Sequence, residues 1–104
     1  MEKVIRDGKV AILVSRGFGA GWSTWNREYP ELVFHPKVVE LVELGKKMEI
    51  LDDDWIKENL DHRVYTGGVS GLEIVWLPVG TRFRIDEYDG SESIITQEDL
   101  DIIA

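Results

Sequence analysis

The chain contains 104 residues, of which 43% are hydrophobic and 31% are charged. This length and composition predict a single globular domain over residues 1–104 and exclude a disordered polar chain. Twelve basic and twenty acidic residues give a net charge of −8 at pH 7, which argues against nucleic-acid binding because contacts to phosphates depend on Lys and Arg. The absence of cysteine excludes disulfides, thiolate metal ligands and a cysteine nucleophile.

The first half of the chain predicts one buried strand followed by two helices. Residues 10–14 are a continuous apolar run, which is typical of a strand buried on both faces. A helix is predicted to begin at Pro36 and to end at Gly45, since proline favours a first helical turn and glycine favours the position after the last. The three aspartates at 52–54 predict the start of a second helix, because acidic side chains cap helix N-termini.

The second half predicts antiparallel β-structure. Strands are expected at residues 64–65, 72–77 and 81–88, and the Asp-Gly pair at 89–90 favours a hairpin that returns through residues 92–95. Residues 96–99 resemble a helix start, which predicts one helical turn over residues 100–103. The fold class expected is α+β, with one antiparallel sheet of about four or five strands and one or two helices packed on a face.

The segment after the first strand, residues 17–26, combines three alternating glycines with two tryptophans. Its spacing does not match the G-x-G-x-x-G dinucleotide fingerprint or a P-loop. Glycines nevertheless let backbone N–H groups approach an anion, and tryptophans can stack on a nucleotide base. The alternative is that the glycines make tight turns and the tryptophans fill the core of a small domain.

A candidate ligand site is drawn from this segment, from a second glycine-rich segment at 66–71 and from an arginine of the strand at 81–88. Its residues are Gly17, Phe18, Gly19, Gly21, Trp22, Ser23, Thr24, Trp25, Asn26, Thr66 and Arg84. We expect the tryptophans to stack on bases, the backbone of residues 17–21 and the guanidinium to hold phosphate, and the polar side chains to read base edges.

Each part of this candidate site has a structural alternative. The 66–71 segment could be a plain loop between strands, and Arg84 could pair across strands with Asp86, Glu73 or Glu92. Two further arginines, at positions 16 and 27, bracket the first glycine-rich segment and add local positive charge to an acidic chain.

Signals for catalysis are weak. His35 and His62 have no recognisable acid–base or metal-ligand spacing, and the aspartates at 52–54 lack the spacing of a calcium loop. We therefore predict no catalytic residue, no metal site and no cofactor.

Two stretches, GFGAGWSTWN at 17–26 and LEIVWLPVGTRFRIDEYDGSESI at 72–94, resemble a family of short uncharacterised proteins of phage type. The resemblance covers most of the chain and is loosest over residues 46–62. It implies a small accessory protein that acts in a bacterial host cytoplasm, where many such proteins counteract host defence without being enzymes. Residues 1–9 lack the apolar stretch of a signal peptide, and no run approaches the length of a membrane span, which also favours the cytoplasm.

The function expected is therefore sequestration of a small nucleotide-derived signal by a homo-oligomer, without chemistry. A second hypothesis is an acidic inhibitor that occupies a basic groove of a host protein through exposed carboxylates, with Glu40, Glu43, Asp99 and the aspartates at 52–54 as candidates. A third is an assembly protein that associates through its sheet edges and an apolar patch at residues 32–34.

Overall fold

The continuous apolar run forms the central strand of a three-stranded antiparallel sheet in the computed structural model, which describes residues 2–96 and 102–104. β2 (Lys9–Ser15) pairs with β1 (Ile5–Arg6) on one side and with β3 (Leu72–Pro78) on the other. Residues 10–14 are fully buried. The sequence prediction of a strand covered on both faces is confirmed.

A second three-stranded antiparallel sheet contains β4 (Arg82–Tyr88) between β5 (Ser91–Thr96) and β6 (Ile102–Ile103). The hairpin between β4 and β5 turns at Asp89 and Gly90, whose φ angles are 48° and 85°. Two consecutive positive φ angles define the type I′ turn that an Asp-Gly pair favours. The predicted hairpin is therefore confirmed.

The first helix begins and ends, and the second helix begins, as the local sequences predict. α1 (Pro36–Glu43) is followed by Gly45 in the left-handed region, with φ 71°. α2 (Asp53–Asn59) is capped by Asp52, whose carboxylate accepts the backbone N–H of Trp55 at 3.1 Å. Both ends follow from standard capping chemistry, which needs no long-range contact.

β2 separates two hydrophobic clusters because alternate residues of a strand point to opposite faces. Ala11 and Leu13 pack in the cluster that also contains Val38 of α1. Val10 and Ile12 pack in the other cluster, which contains the side chains of the second sheet. The layers are therefore helices, first sheet and second sheet, in that order.

The α+β class is confirmed, but the expected single sheet of four or five strands is wrong. The described residues form two sheets of three strands, since the strand at 10–14 needs cover on both faces and helices cover only one. Residues 64–65 are not a strand. The predicted helical turn at 100–103 is wrong for Ile102 and Ile103, which pair with β4; residues 97–101 lie outside the described part of the chain.

Among the described residues, none of the helices combines the length and the apolar composition needed to cross a bilayer.

Candidate functional site

The two glycine-rich segments lie directly against each other. A Cβ on Gly71 would come within 2.6 Å of the Gly17 nitrogen, and one on Gly68 would come within 2.7 Å of the Gly21 carbonyl carbon. The hydroxyl of Ser15 also donates to the Gly68 carbonyl at 2.7 Å. The segments therefore converge, as expected, but these glycines serve backbone-to-backbone contact and leave no space there for a ligand.

The carboxylate of Glu92 lies in a cradle of backbone N–H groups beside the first glycine-rich segment. It accepts the backbone N–H groups of Ser15, Trp22 and Thr24 at 2.8, 2.9 and 3.1 Å, and the Thr24 hydroxyl at 2.6 Å. Only 1% of Glu92 is exposed. Because buried carboxylates need such donors, the chain supplies its own anion to this cradle.

The predicted phosphate-binding role does not fit Gly19 and Gly21, whereas Gly17 and Phe18 are exposed. The N–H of Gly19 donates to the Asp89 carbonyl at 2.5 Å. Gly21 is buried, and a Cβ there would lie 3.0 Å from the Glu92 carboxylate and 2.5 Å from the Thr24 hydroxyl. The loop is thus fastened to the β4–β5 hairpin, and its inner side faces protein.

Trp22 and Asn26 are structural residues, so their predicted ligand roles are wrong. Trp22 has no exposed surface, and its indole N–H donates to the Leu32 carbonyl at 2.9 Å. Asn26 is buried; its amide donates to the carbonyls of Trp22 and Tyr65, both at 2.9 Å, and accepts the Tyr65 N–H at 2.7 Å. Asn26 therefore fixes the backbone at Tyr65, in a segment where sequence analysis expected a β-strand.

Trp25 is the tryptophan of the loop that reaches solvent. Its exposed fraction is 42%, and it stacks on Tyr65, which is 49% exposed, with ring centroids 5.7 Å apart and planes 25° apart. A concavity of about 380 Å³ beside the stack is lined by Arg27 and Arg63 among others. We call Trp25, Tyr65, Arg27 and Arg63 the aromatic face.

Tyr65 was missed by the sequence analysis because residues 64–65 were assigned to a strand. The available signal was an aromatic residue next to a glycine-rich segment, which by itself does not indicate its partner. The hydrogen bonds to Asn26 fix its backbone, and the stack then orients its ring against Trp25.

A second groove, of about 600 Å³, shares Thr24 and Arg27 with the concavity at the aromatic face. Ser23 and Arg84 also line it, and we call these four residues the arginine groove. The two depressions are therefore adjacent, with the Arg27 side chain at their common boundary. The residues predicted for the ligand site that line these two depressions are Ser23, Thr24, Trp25, Asn26 and Arg84.

The arginines of these surfaces differ in how far they are engaged. Arg84 pairs with Asp86 of its own strand at 2.8 Å, so the expected cross-strand pairing is replaced by a pairing along the strand. Arg63 binds Asp61 through two hydrogen bonds of 3.0 and 3.1 Å, which hold the pKa of that carboxyl well below its usual range. Arg27 makes no ion pair with any described residue.

The remaining predicted site residues lie elsewhere. Phe18 is 73% exposed at the tip of the loop, with Gly17 and Gly19 exposed on either side. Neither these residues nor the half-buried Thr66 lines the aromatic face or the arginine groove.

The two histidines occupy contrasting positions. His62 is exposed beside Asp61, at 3.6 Å. His35 is half-buried, with Nε2 3.2 Å from the Asn59 carbonyl, and burial lowers its pKa. Over residues 2–96 and 102–104, no group of three or more His, Asp or Glu side chains is placed to hold a metal ion.

The exposure of individual residues also bears on the two alternative hypotheses, assembly and acidic inhibition. Residues 32–34 are buried. The prediction that they form an apolar surface patch for assembly is therefore wrong. The candidate acidic residues Glu40, Glu43 and the aspartates at 52–54 are all exposed, although Glu43 pairs with Arg6 and Asp52 caps α2. Asp99 lies outside the described residues.

No protein family model matches this chain, and neither curated proteins nor solved structures show significant similarity to it. The functional argument therefore depends on the geometry of the chain itself.

Proposed function

We propose that the protein is a non-enzymatic binding protein that sequesters a small nucleotide-derived ligand at the aromatic face and the adjoining arginine groove. The observation that carries this proposal is the exposed stack of Trp25 on Tyr65, 5.7 Å between ring centroids, at the edge of a groove that contains arginines. A base would stack on the outer face of the indole, and a phosphate would lie near Arg27.

The tryptophan is held in place before any ligand arrives. Its short helical turn, Ser23–Trp25, is fixed on one side by the buried Glu92, which binds the N–H and hydroxyl of Thr24. Tyr65 supports the ring on its inner face. Binding to a rigid aromatic platform loses little side-chain entropy, which favours affinity. Glu92, which binds the backbone of the buried Trp22, thus also helps to position Trp25.

In a chain of net charge −8, the support for an anionic ligand comes from Arg27, because acidic side chains also line the two depressions. These are Glu28, Asp86 and Glu87. Arg63 and Arg84 each have one carboxylate partner, while Arg27 lies between the two depressions and has no ion-pair partner among residues 2–96 and 102–104. A guanidinium with free donors is well suited to a phosphate, because its planar fork can bind two oxygens at once.

Both carboxylates that line the arginine groove are engaged by partners within the chain. Asp86 is paired with Arg84 at 2.8 Å, and Glu87 accepts the Gly90 N–H at 2.8 Å. Both carboxylates therefore already have hydrogen-bond donors from the chain itself. Tight binding without turnover is what sequestration requires, and it agrees with the phage context that the resemblance of the two sequence signatures implies.

The test is calorimetric titration of the purified protein with cyclic dinucleotides and with ADP-ribose. We expect Trp25→Ala to weaken binding about tenfold or more, because stacking of one base contributes about 1–3 kcal/mol. Arg27→Ala should cause a similar loss, with a weaker dependence of affinity on salt than in the unchanged protein.

Matched controls come from exposed residues of the same types outside both depressions. Tyr88→Ala removes an aromatic ring that is largely exposed, and Arg82→Ala removes an exposed guanidinium. Both variants should bind as the unchanged protein does. Equal affinity in Trp25→Ala, Arg27→Ala and the controls, or no binding across the panel, would contradict the proposal.

A further inference from the structure

We propose that the protein forms a homodimer in which the outer edge of β3 pairs antiparallel with β3 of a second copy. The strand order of its sheet is β1, β2, β3, so β3 has a partner on one side only. The pairing would join two three-stranded sheets into one of six strands. This inference is independent of the ligand site, because β3 contributes no residue to the aromatic face or the arginine groove.

The hydrogen bonds to β2 fix which backbone groups of β3 point outward. Gly71 accepts the Arg16 N–H at 2.9 Å, and Val79 donates to the Gly8 carbonyl at 2.9 Å. Backbone groups alternate in direction along a strand, so the odd-numbered residues from 71 to 79 face β2. The even-numbered residues of β3 therefore direct their N–H and C=O groups away from the sheet.

At its two ends, this outer edge is already closed. The Leu72 carbonyl accepts the side chain of Lys47 at 3.2 Å. Pro78 has no N–H to donate, and its carbonyl accepts the Thr81 N–H at 3.1 Å. Between these ends, the outward groups of Ile74 and Trp76 make no hydrogen bond to any residue in the described ranges 2–96 and 102–104.

A second copy of β3 satisfies these groups when the twofold axis passes through Val75. Ile74 then lies opposite Trp76 of the second copy, and each pair exchanges two backbone hydrogen bonds. Leu72 lies opposite Pro78, and no bond is expected at this pair. The proline lacks a donor, the Leu72 N–H already donates to the Val69 carbonyl, and both carbonyls already accept other donors. Glu73 lies opposite Leu77, which keeps the two Glu73 carboxylates from facing each other.

The side chains along the edge agree with this partner. Residues 74–77 of β3, Ile-Val-Trp-Leu, are all partly exposed, and the charged or imino residues that normally protect an edge strand stand only at its ends. An open groove of about 500 Å³ next to Ile74 is lined also by Val42 and Lys47. In the proposed register, Trp76 of the second copy lies opposite Ile74 on that same face of the sheet.

The register can be tested by cysteine cross-linking, since the chain has no cysteine of its own. Residues on the twofold axis form a non-hydrogen-bonded pair with Cα atoms about 4.5 Å apart, which is within the range of a disulfide. Oxidation of Val75→Cys should therefore give a covalent dimer of most of the protein. Glu73→Cys, on the same strand but opposite Leu77, should remain monomeric on a denaturing gel.

Sedimentation equilibrium provides the second measurement. The unchanged protein should have twice the 11.9 kDa chain mass at micromolar concentration. Ile74→Pro removes an outward N–H without removing a bond to β2, and it should shift the protein towards the monomer. Circular dichroism shows whether this variant is folded; if it is not, the cysteine pair still decides.

Three results would overturn the proposal. The first is a monomer at all concentrations with no cross-link through Val75→Cys. The second is a dimer that cross-links through Glu73→Cys and not through Val75→Cys, which requires another register. The third is a dimer that neither cysteine links, which requires another interface.

Discussion

The buried carboxylate of Glu92 accepts the backbone N–H of Trp22 at 2.9 Å, across 70 positions of the sequence. This contact joins the β4–β5 hairpin to the loop that follows β2. The same carboxylate also binds Ser15 and Thr24, so one side chain organises the loop from its start to the exposed Trp25. The candidate ligand surface depends on this internal anion.

Replacing Glu92 by Gln should destabilise the fold by about 2 kcal/mol, because an amide cannot accept on both of its heavy atoms and leaves a buried N–H without a partner. For a domain of this size the melting temperature should fall by about 10 °C. Thermal unfolding followed by circular dichroism measures this shift. Glu73→Gln, on the exposed surface of β3, should change stability by less than about 0.5 kcal/mol; equal effects would contradict the role of Glu92.

Gly90→Ala should destabilise the protein more than Gly80→Ala does. Both glycines have similar positive φ angles, 85° and 89°, so both substitutions carry the strain of about 1 kcal/mol that a side chain suffers there. A Cβ on Gly90 would also collide with the backbone of Ala20, whereas one on Gly80 would meet nothing within 4 Å. Urea unfolding should therefore show an additional loss of about 1–3 kcal/mol for Gly90→Ala.

Trp22→Phe should destabilise the fold by about 2 kcal/mol or more. It removes buried apolar surface and the indole N–H that satisfies the Leu32 carbonyl. Trp25→Phe keeps an aromatic ring on Tyr65 at an exposed position and should cost less than about 1 kcal/mol. Chemical denaturation of both variants gives the comparison. A larger loss of stability for Trp25→Phe would contradict the structural role assigned to Trp22.

Stability should fall as the pH is lowered below about 6.5, with a contribution from His35. Burial lowers its pKa in the folded state, so the unfolded chain takes up a proton at higher pH than the folded chain. The stabilisation is complete above the unfolded pKa and is lost as the pH falls towards the folded pKa. The melting temperature of His35→Gln should therefore decrease less between pH 7 and pH 5, whereas His62→Gln, at an exposed site, should follow the unchanged protein.

Features whose hydrogen bonds close within a few residues could be predicted from the sequence. Gly45 ends α1, Asp52 caps α2, and Asp89 with Gly90 turns the β4–β5 hairpin. In each case the residue type is selected by its own backbone geometry or by a donor two or three positions away.

Features that depend on distant partners could not be predicted. Glu92 stands between two serines in a hairpin, a pattern typical of an exposed strand, and nothing nearby shows that it is buried against Trp22. The amide of Asn26 finds its partner at Tyr65, 39 positions away. The division of the strands into two sheets could not be predicted for the same reason, since strand pairing is a long-range property.

Residues 17–26 and residues 72–94 form the two sides of one contact. Glu92 and Gly90 come from the second stretch, and the backbone that they bind or abut comes from the first. Neither stretch is therefore a portable module. A graft of the tryptophan loop onto another scaffold would have to bring the acidic hairpin with it, because the loop alone would lack the anion around which it folds.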